Sequence, residues 1–155
     1  MLSSLVVSLS EDSWIEKALV PLNVRESWNN LYETLWEIKP EYRHVIRING
    51  EPTKVRRYQQ AFGQDYEYSG TTNKGLPFPQ CTLPILEYFS ELYKVNFNML
   101  LINWYECGDD YISAHHDDAS KMYPDSPIIT FSLGTDRIFR ISKDGKKIID
   151  LVTTN

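Results

Sequence analysis

The chain has 155 residues, enough for one domain, and an apolar share of 42% with 13% aromatics argues for a packed core rather than disorder. A net charge of -5 excludes a protein that coats nucleic acid over its whole surface. With no apolar run long enough for a bilayer and no leader pattern, the expectation is a soluble, intracellular monomer with no membrane partner. Two cysteines, Cys81 and Cys107, lack metal-finger spacing and read as buried thiols in a reducing compartment.

Helical periodicity comes first in the chain. Over residues 23–38, Asn23 can cap with Glu26 three residues on, and Trp28, Leu31, Tyr32, Leu35 and Ile38 share one face, so one helix ending at Pro40 is predicted. Residues 44–70 mix β-branched residues with Asn49-Gly50 and Gly63, the pattern of hairpins. Within residues 43–57 five cations (Arg43, Arg47, Lys54, Arg56 and Arg57) accompany one anion, Glu51. An acidic chain thus carries one basic surface, suited to phosphate, with a solvated hairpin as the plainer alternative. A second helix is predicted from Thr82, with Pro84 near its start and Leu86, Phe89 and Tyr93 along one side.

After that helix the period changes to two. The runs "FNMLLINWYE", "YISAHHD", "PIITFSLG", "RIFRIS" and "KKIIDLV" predict short strands, separated by turn signals such as Gly108-Asp109 and Asp144-Gly145. The expected class is α+β, mostly β, as an antiparallel barrel or jelly roll with the helices packed outside.

On a strand, His115 and Asp117 of "SAHHDD" point to one face while His116 and Asp118 point to the other. A neutral imidazole and a carboxylate two residues apart supply two legs of the facial arrangement that holds non-haem Fe(II). Alone, H-x-D is weak, and a polar loop with exposed imidazoles explains it equally well. Asn103 and Tyr105 also lie two apart, and an amide with a phenol suits the oxygens of a dicarboxylate. Downstream, Ser132 stands before a glycine, Gly134, and Arg137, Phe139 and Ile141 alternate along one face.

Taken in order, "YEYSG" and the run from "FNMLLINWYE" to "RIFRI" resemble the AlkB family of Fe(II)/2-oxoglutarate-dependent dioxygenases. The combined N-x-Y, H-x-D-D, S-P-I-x-x-x-S-L-G and R-x-F pattern carries the resemblance. It implies a double-stranded β-helix forming a single dioxygenase domain over residues 1–155, with a nucleotide-recognition lid over residues 43–70. It also implies oxidative demethylation of N-alkylated bases in DNA or RNA, using Fe(II), 2-oxoglutarate and oxygen and releasing succinate, carbon dioxide and formaldehyde. By position, His115 and Asp117 match the iron ligands and Asn103 and Tyr105 the 2-oxoglutarate contacts. Asp118 matches a contact to the base's polar edge, Tyr66 and Tyr68 the aromatic lid positions, and Arg57 a lid arginine on the nucleic-acid side.

The departures from the family pattern bear on activity and substrate. The second histidine and the carboxylate-binding arginines belong to a later family strand, so the domain is expected to be C-terminally incomplete, and His44 and His116 are poor substitutes. The hairpin offers Asn49 where duplex-opening relatives carry an aromatic wedge, Arg56 stands in place of a proline, and Ala119 in place of an acid. Single-stranded and duplex DNA and RNA all stay open as partners. The competing readings are an inactive fragment that binds nucleic acid and a dioxygenase acting on protein or lipid.

Overall fold

Short strands answer most of the period-two runs. A computed structural model describes residues 4–117 and 126–153. In chain order its elements are β1 (Ser4–Ser8), β2 (Trp14–Ala18), α1 (Leu22–Glu26), α2 (Leu31–Glu37), β3 (Val45–Ile48), β4 (Glu51–Lys54), β5 (Tyr58–Phe62), β6 (Tyr66–Tyr68), β7 (Thr71–Asn73), α3 (Leu83–Tyr93), β8 (Leu100–Trp104), β9 (Arg137–Lys143) and β10 (Lys146–Thr153). The described architecture is mostly β with few helices. Its strands pair two by two, and no closed double-stranded β-helix forms among the described residues.

The chain groups into two compact units, residues 1–32 with 128–155, and residues 33–127. In the first, β1 and β2 form an antiparallel hairpin from Ser4↔Ala18 to Ser8↔Trp14. This hairpin has no counterpart among the expected elements, although the polar run "SEDS" between two apolar stretches carries the signal. β9 and β10 pair around Asp144 and Gly145, both at positive φ, with a bulge between Lys147 and Ile149. Arg140 and Asp150 face each other across that pair in a two-pronged contact of 2.7 and 2.8 Å, which pulls the Asp150 carboxyl down to about 2. Trp28 meets Phe131 edge to face at 5.4 Å.

The single helix expected over residues 23–38 is two. Ser27 Oγ donates to Val24 O at 2.6 Å, and Asn30 adopts φ +57°, a left-handed conformation that ends the first segment. Pro21, not Asn23, precedes the first turn, and no side chain caps it. The expected stripe is only partly covered: Leu31 is buried whereas Tyr32 and Ile38 are exposed. The later helix forms as expected, entered through a 3-10 turn over Gln80–Thr82 and closed by Lys94 in the left-handed conformation.

In the second unit, β3 and β4 make the expected hairpin, with Asn49 and Gly50 at φ +52° and +85°, the turn that Asn-Gly favours. β6 and β7 make another around Ser69 and Gly70. β5 instead pairs antiparallel with β8, from Tyr58↔Trp104 to Phe62↔Leu100. Its other edge is closed by a side chain and a neighbouring backbone: Asn73 Oδ1 accepts from Ala61 N at 3.0 Å, Nδ2 donates to Gln59 O, and Leu76 N donates to Ala61 O at 3.0 Å. Ala61, Phe62, Val55, Ile46 and Trp104 are buried around this ladder, and Trp104 Nε1 donates to Leu35 O at 2.8 Å.

Two expected strands, "YISAHHD" and "PIITFSLG", are not strands among the described residues. Alternation makes a strand only where a ladder partner exists, and neither run has one there. Cys107 is exposed rather than buried, whereas Cys81 is half-buried and both are free thiols.

Gly63 follows β5 at φ +83°, donates to Leu76 O at 2.8 Å, and has no room for a Cβ between Asn98 O and the Phe78 ring. Gly63→Ala is therefore expected to lower unfolding free energy by more than about 1 kcal/mol, read as a shifted urea midpoint at constant slope.

Candidate functional site

Register fixes the first half of the site. Residues opposite each other in an antiparallel pair project from the same face, so Gln59 and Asn103 stand together, as do Ala61 and Leu101. One step beyond, Arg57 reaches the same face and its Nε donates to Asn103 Oδ1 at 2.8 Å. Arg57, Gln59 and Ala61 are 4%, 3% and 0% exposed, a continuous buried row on β5 and its approach. Burial lowers the Arg57 pKa from its ordinary value, and the phenols of Tyr105, Tyr68 and Tyr66 act in the opposite direction. Among the described residues, Gln59 holds the two buried side-chain atoms, Nε2 and Oε1, that lack a hydrogen-bond partner. Such groups cost about 1–3 kcal/mol each when left unmet.

The chain leaves β8 through a loop held by a buried acid. Asp110 is 1% exposed and accepts from Arg43 Nη1 at 2.6 Å, Arg43 Nη2 at 2.9 Å and Glu106 N at 2.8 Å. Tyr111 N then donates to Arg56 O at 3.0 Å, tying the loop beside the start of β5. This clip sets where the following residues emerge. His115 Nε2 lies 3.5 Å from Asp117 Oδ1, and its Nδ1 lies 2.8 Å from Ser113 O. Because a carbonyl only accepts, Nδ1 is the donor in that contact, and Nε2 is the ring nitrogen turned toward the carboxylate.

That geometry suits a metal. Two donors bound at ~2.1 Å in adjacent positions stand about 3 Å apart, close to the observed gap, and a carbonyl holding Nδ1 is the usual way a ligating imidazole is oriented. Imidazole with carboxylate also matches the donor preference of non-haem Fe(II). Among the described residues no group of three or more His, Cys, Asp or Glu side chains gathers to hold an ion. His44 is half-buried with its pKa lowered by burial and by Arg57, and His116 is exposed.

Aromatic residues border the pair. Tyr66 and Tyr68 on β6 lie with rings parallel within 13° and centroids 6.3 Å apart, and the Tyr68 ring sits 6.4 Å from that of His115. Burial raises the Tyr66 pKa, with the Asp117 charge adding to it. The same unit thus brings together Arg57, Tyr66, Tyr68, Asn103, Tyr105, His115 and Asp117. Asp118 lies outside the described residues.

The basic segment does not form one surface. Arg43 and Arg57 turn inward, while Arg47, Lys54 and Arg56 are exposed. A surface hollow of about 430 Å³ lies among Arg43, Lys54, Arg56 and Tyr58. Lys39 Nζ stands 3.5 Å over the Tyr58 ring. Three contributors to the site were absent from the sequence reading: Gln59, Asp110 and the carbonyl of Ser113. Only Gln59 carried a signal, as the residue two beyond Arg57.

Comparison with known families bears on the chemistry of this cluster. Residues 14–152 match the family model described as the 2OG-Fe(II) oxygenase superfamily. The chain belongs to that superfamily. Membership of that superfamily implies Fe(II) and 2-oxoglutarate as metal and cosubstrate. It is distantly homologous to AlkB-family proteins named DNA oxidative demethylase ALKBH2. Identity is 33% over 97 residues with the human protein (61% of this chain, 37% of the relative) and 36% over 133 residues with that of Arabidopsis thaliana (79% and 41%). The mouse protein is 31% identical over 97 residues. The chain spans about two fifths of the length of these relatives.

The Asp110 clip has a testable pH signature. Burial alone would raise the Asp110 pKa, but the Arg43 and backbone hydrogen bonds outweigh it and hold the carboxyl below its ordinary value. A depressed carboxylate contributes stability that is present above its unfolded pKa and lost as pH falls through the folded one. Asp110→Asn is therefore expected to be less stable at pH 7 and to lose less stability than the parent below about pH 4, as denaturant titrations across pH would measure.

Proposed function

We propose that this chain carries the iron- and 2-oxoglutarate-binding part of an enzyme that removes N-alkyl groups from bases of DNA or RNA by oxidation. The observation that carries this reading is the His115–Asp117 pair, with Nε2 turned toward the carboxylate at 3.5 Å, on a loop beside the Arg57–Asn103 face and the Tyr68 ring. His115 and Asp117 hold Fe(II) and are the catalytic ligands, and Asn103 and Tyr105 contact 2-oxoglutarate. When bound, the iron would couple oxidation of an N-methyl carbon by oxygen to decarboxylation of 2-oxoglutarate, giving formaldehyde, succinate and carbon dioxide.

The remaining residues position and shield. Tyr66 and Tyr68 offer parallel ring faces for an unstacked base, and Asp118 contacts its polar edge. Arg57, buried and charged, balances the anionic cosubstrate from the β5 side. Arg47, Lys54 and Arg56, exposed on the segment before β5, meet phosphates and keep the strand in register with the site. The Asn49 tip favours single strands or RNA over an intact duplex, because a polar side chain gives little wedge.

A second reading, a module that holds nucleic acid without turnover, is favoured by the lack of a third metal donor among the described residues. Mass spectrometry of a short single strand carrying one N1-methyladenine separates the two. The demethylase reading expects the strand to lose the mass of one CH2, as hydrogen replaces the methyl group, in a reaction that requires 2-oxoglutarate and is abolished in His115→Ala and Asp117→Ala. Retention of the methyl group by the full-length protein, with binding unaffected by either substitution, supports the module and contradicts demethylation.

A further inference from the structure

Gln59 is the polar side chain of the site that no part of the reading above uses. It is 3% exposed, and among the described residues neither its amide nitrogen nor its amide oxygen has a hydrogen-bond partner. Its neighbour shows that this fold satisfies amides where they serve structure. Gln60 Nε2, on the opposite face of β5, donates to Lys74 O at 2.7 Å and Ala61 O at 2.9 Å. Asn73 likewise engages the backbone on both its oxygen and its nitrogen. Gln59 projects from the face that holds Asn103, whose own oxygen is taken by Arg57. A buried amide in that place, open on both its donor and its acceptor, is built to meet something that enters the site.

The chemistry of the amide narrows what enters. A dicarboxylate at neutral pH offers acceptors only, so it would engage Nε2 and bring a second oxygen against Oε1. A nucleobase edge sets a donor beside an acceptor, the pattern a glutamine amide complements with two parallel hydrogen bonds. We propose that Gln59 is a base-contacting residue of this site, holding the edge of the alkylated base while the 2-oxoglutarate rests on Asn103 and Tyr105. The inference rests on the demethylase reading and adds to it a positioning contact on β5. Because the amide can flip its donor and acceptor ends, the contact is made with whichever base occupies the site, and in these strands that is the alkylated one.

The test uses the full-length protein with Mn(II) in place of iron and 2-oxoglutarate present, so that no turnover occurs. Two fluorescent single strands, identical except for one N1-methyladenine, are titrated by anisotropy, and 2-oxoglutarate affinity is measured calorimetrically in parallel. Gln59→Met keeps the length and burial of the side chain without the amide, and Gln59→Ala serves as the second variant. The expected result is an about tenfold loss of affinity for the methylated strand in Gln59→Met, the size of one lost paired contact. Binding of the unmethylated strand and of 2-oxoglutarate stays unchanged. A parental preference for the methylated strand that survives both variants overturns the inference while leaving the demethylase reading standing. Weakened 2-oxoglutarate binding with intact strand binding assigns the amide to the dicarboxylate and overturns it too. A parent that binds both strands alike overturns the inference, while the demethylase reading stands or falls on the methyl-loss assay.

Discussion

The ladder between β5 and β8 is the constraint on which the site depends. Its five residue pairs, from Tyr58↔Trp104 to Phe62↔Leu100, join segments some forty residues apart and set which side chains share a face. A slip of one residue would turn Gln59 and Asn103 to opposite faces and separate Arg57 from the amide it holds. Among the described residues the sheet has these two strands, so the other edge of β5 is satisfied from elsewhere, by the Asn73 side chain and the Leu76 backbone. Burial of Ala61, Phe62 and Trp104 around the ladder makes the register costly to change.

A second, electrostatic constraint builds on the first. Arg43 and Asp110 turn the chain leaving β8 back beside the approach to β5, and the loop that follows carries His115 and Asp117. Both arginines that face inward, Arg43 and Arg57, are matched to a partner before any ligand arrives. The imidazole is oriented by the Ser113 carbonyl and the Tyr68 ring, with its Nε2 facing the Asp117 carboxylate at 3.5 Å, a spacing that suits a cation. Rigid polar contacts on the strands and an open pair on the loop divide support from chemistry within one unit.

How far the sequence foretold this depends on the range of the interaction. Asn-Gly at 49–50 and Asp-Gly at 144–145 dictate turns through local backbone preference, and both hairpins form. The helix break at Asn30 is also local, yet the apolar stripe running through it hid the competing hydroxyl and left-handed residue. The fate of the basic segment was hidden for a different reason: Arg43 and Arg57 find partners 67 and 46 residues away, which no window along the chain reveals. The proximity of His115 and Asp117 was expected from strand alternation, and the structure brings them together on a loop instead. The mostly β character was legible, whereas the strands expected at "YISAHHD" and "PIITFSLG" lack the ladder partner that alternation alone cannot provide.

The central claim is that His115 and Asp117 form a metal site adjoining a 2-oxoglutarate site on the β8 face. Its most direct test is anaerobic addition of Fe(II) and then 2-oxoglutarate to the full-length protein, followed by visible absorption spectroscopy. The account predicts a metal-to-ligand charge-transfer band that needs both additions and disappears in Asp117→Ala, with Asn103→Ala shifting the 2-oxoglutarate concentration at half-saturation upward. No band in the parent protein, or a band of undiminished intensity in Asp117→Ala, would contradict it.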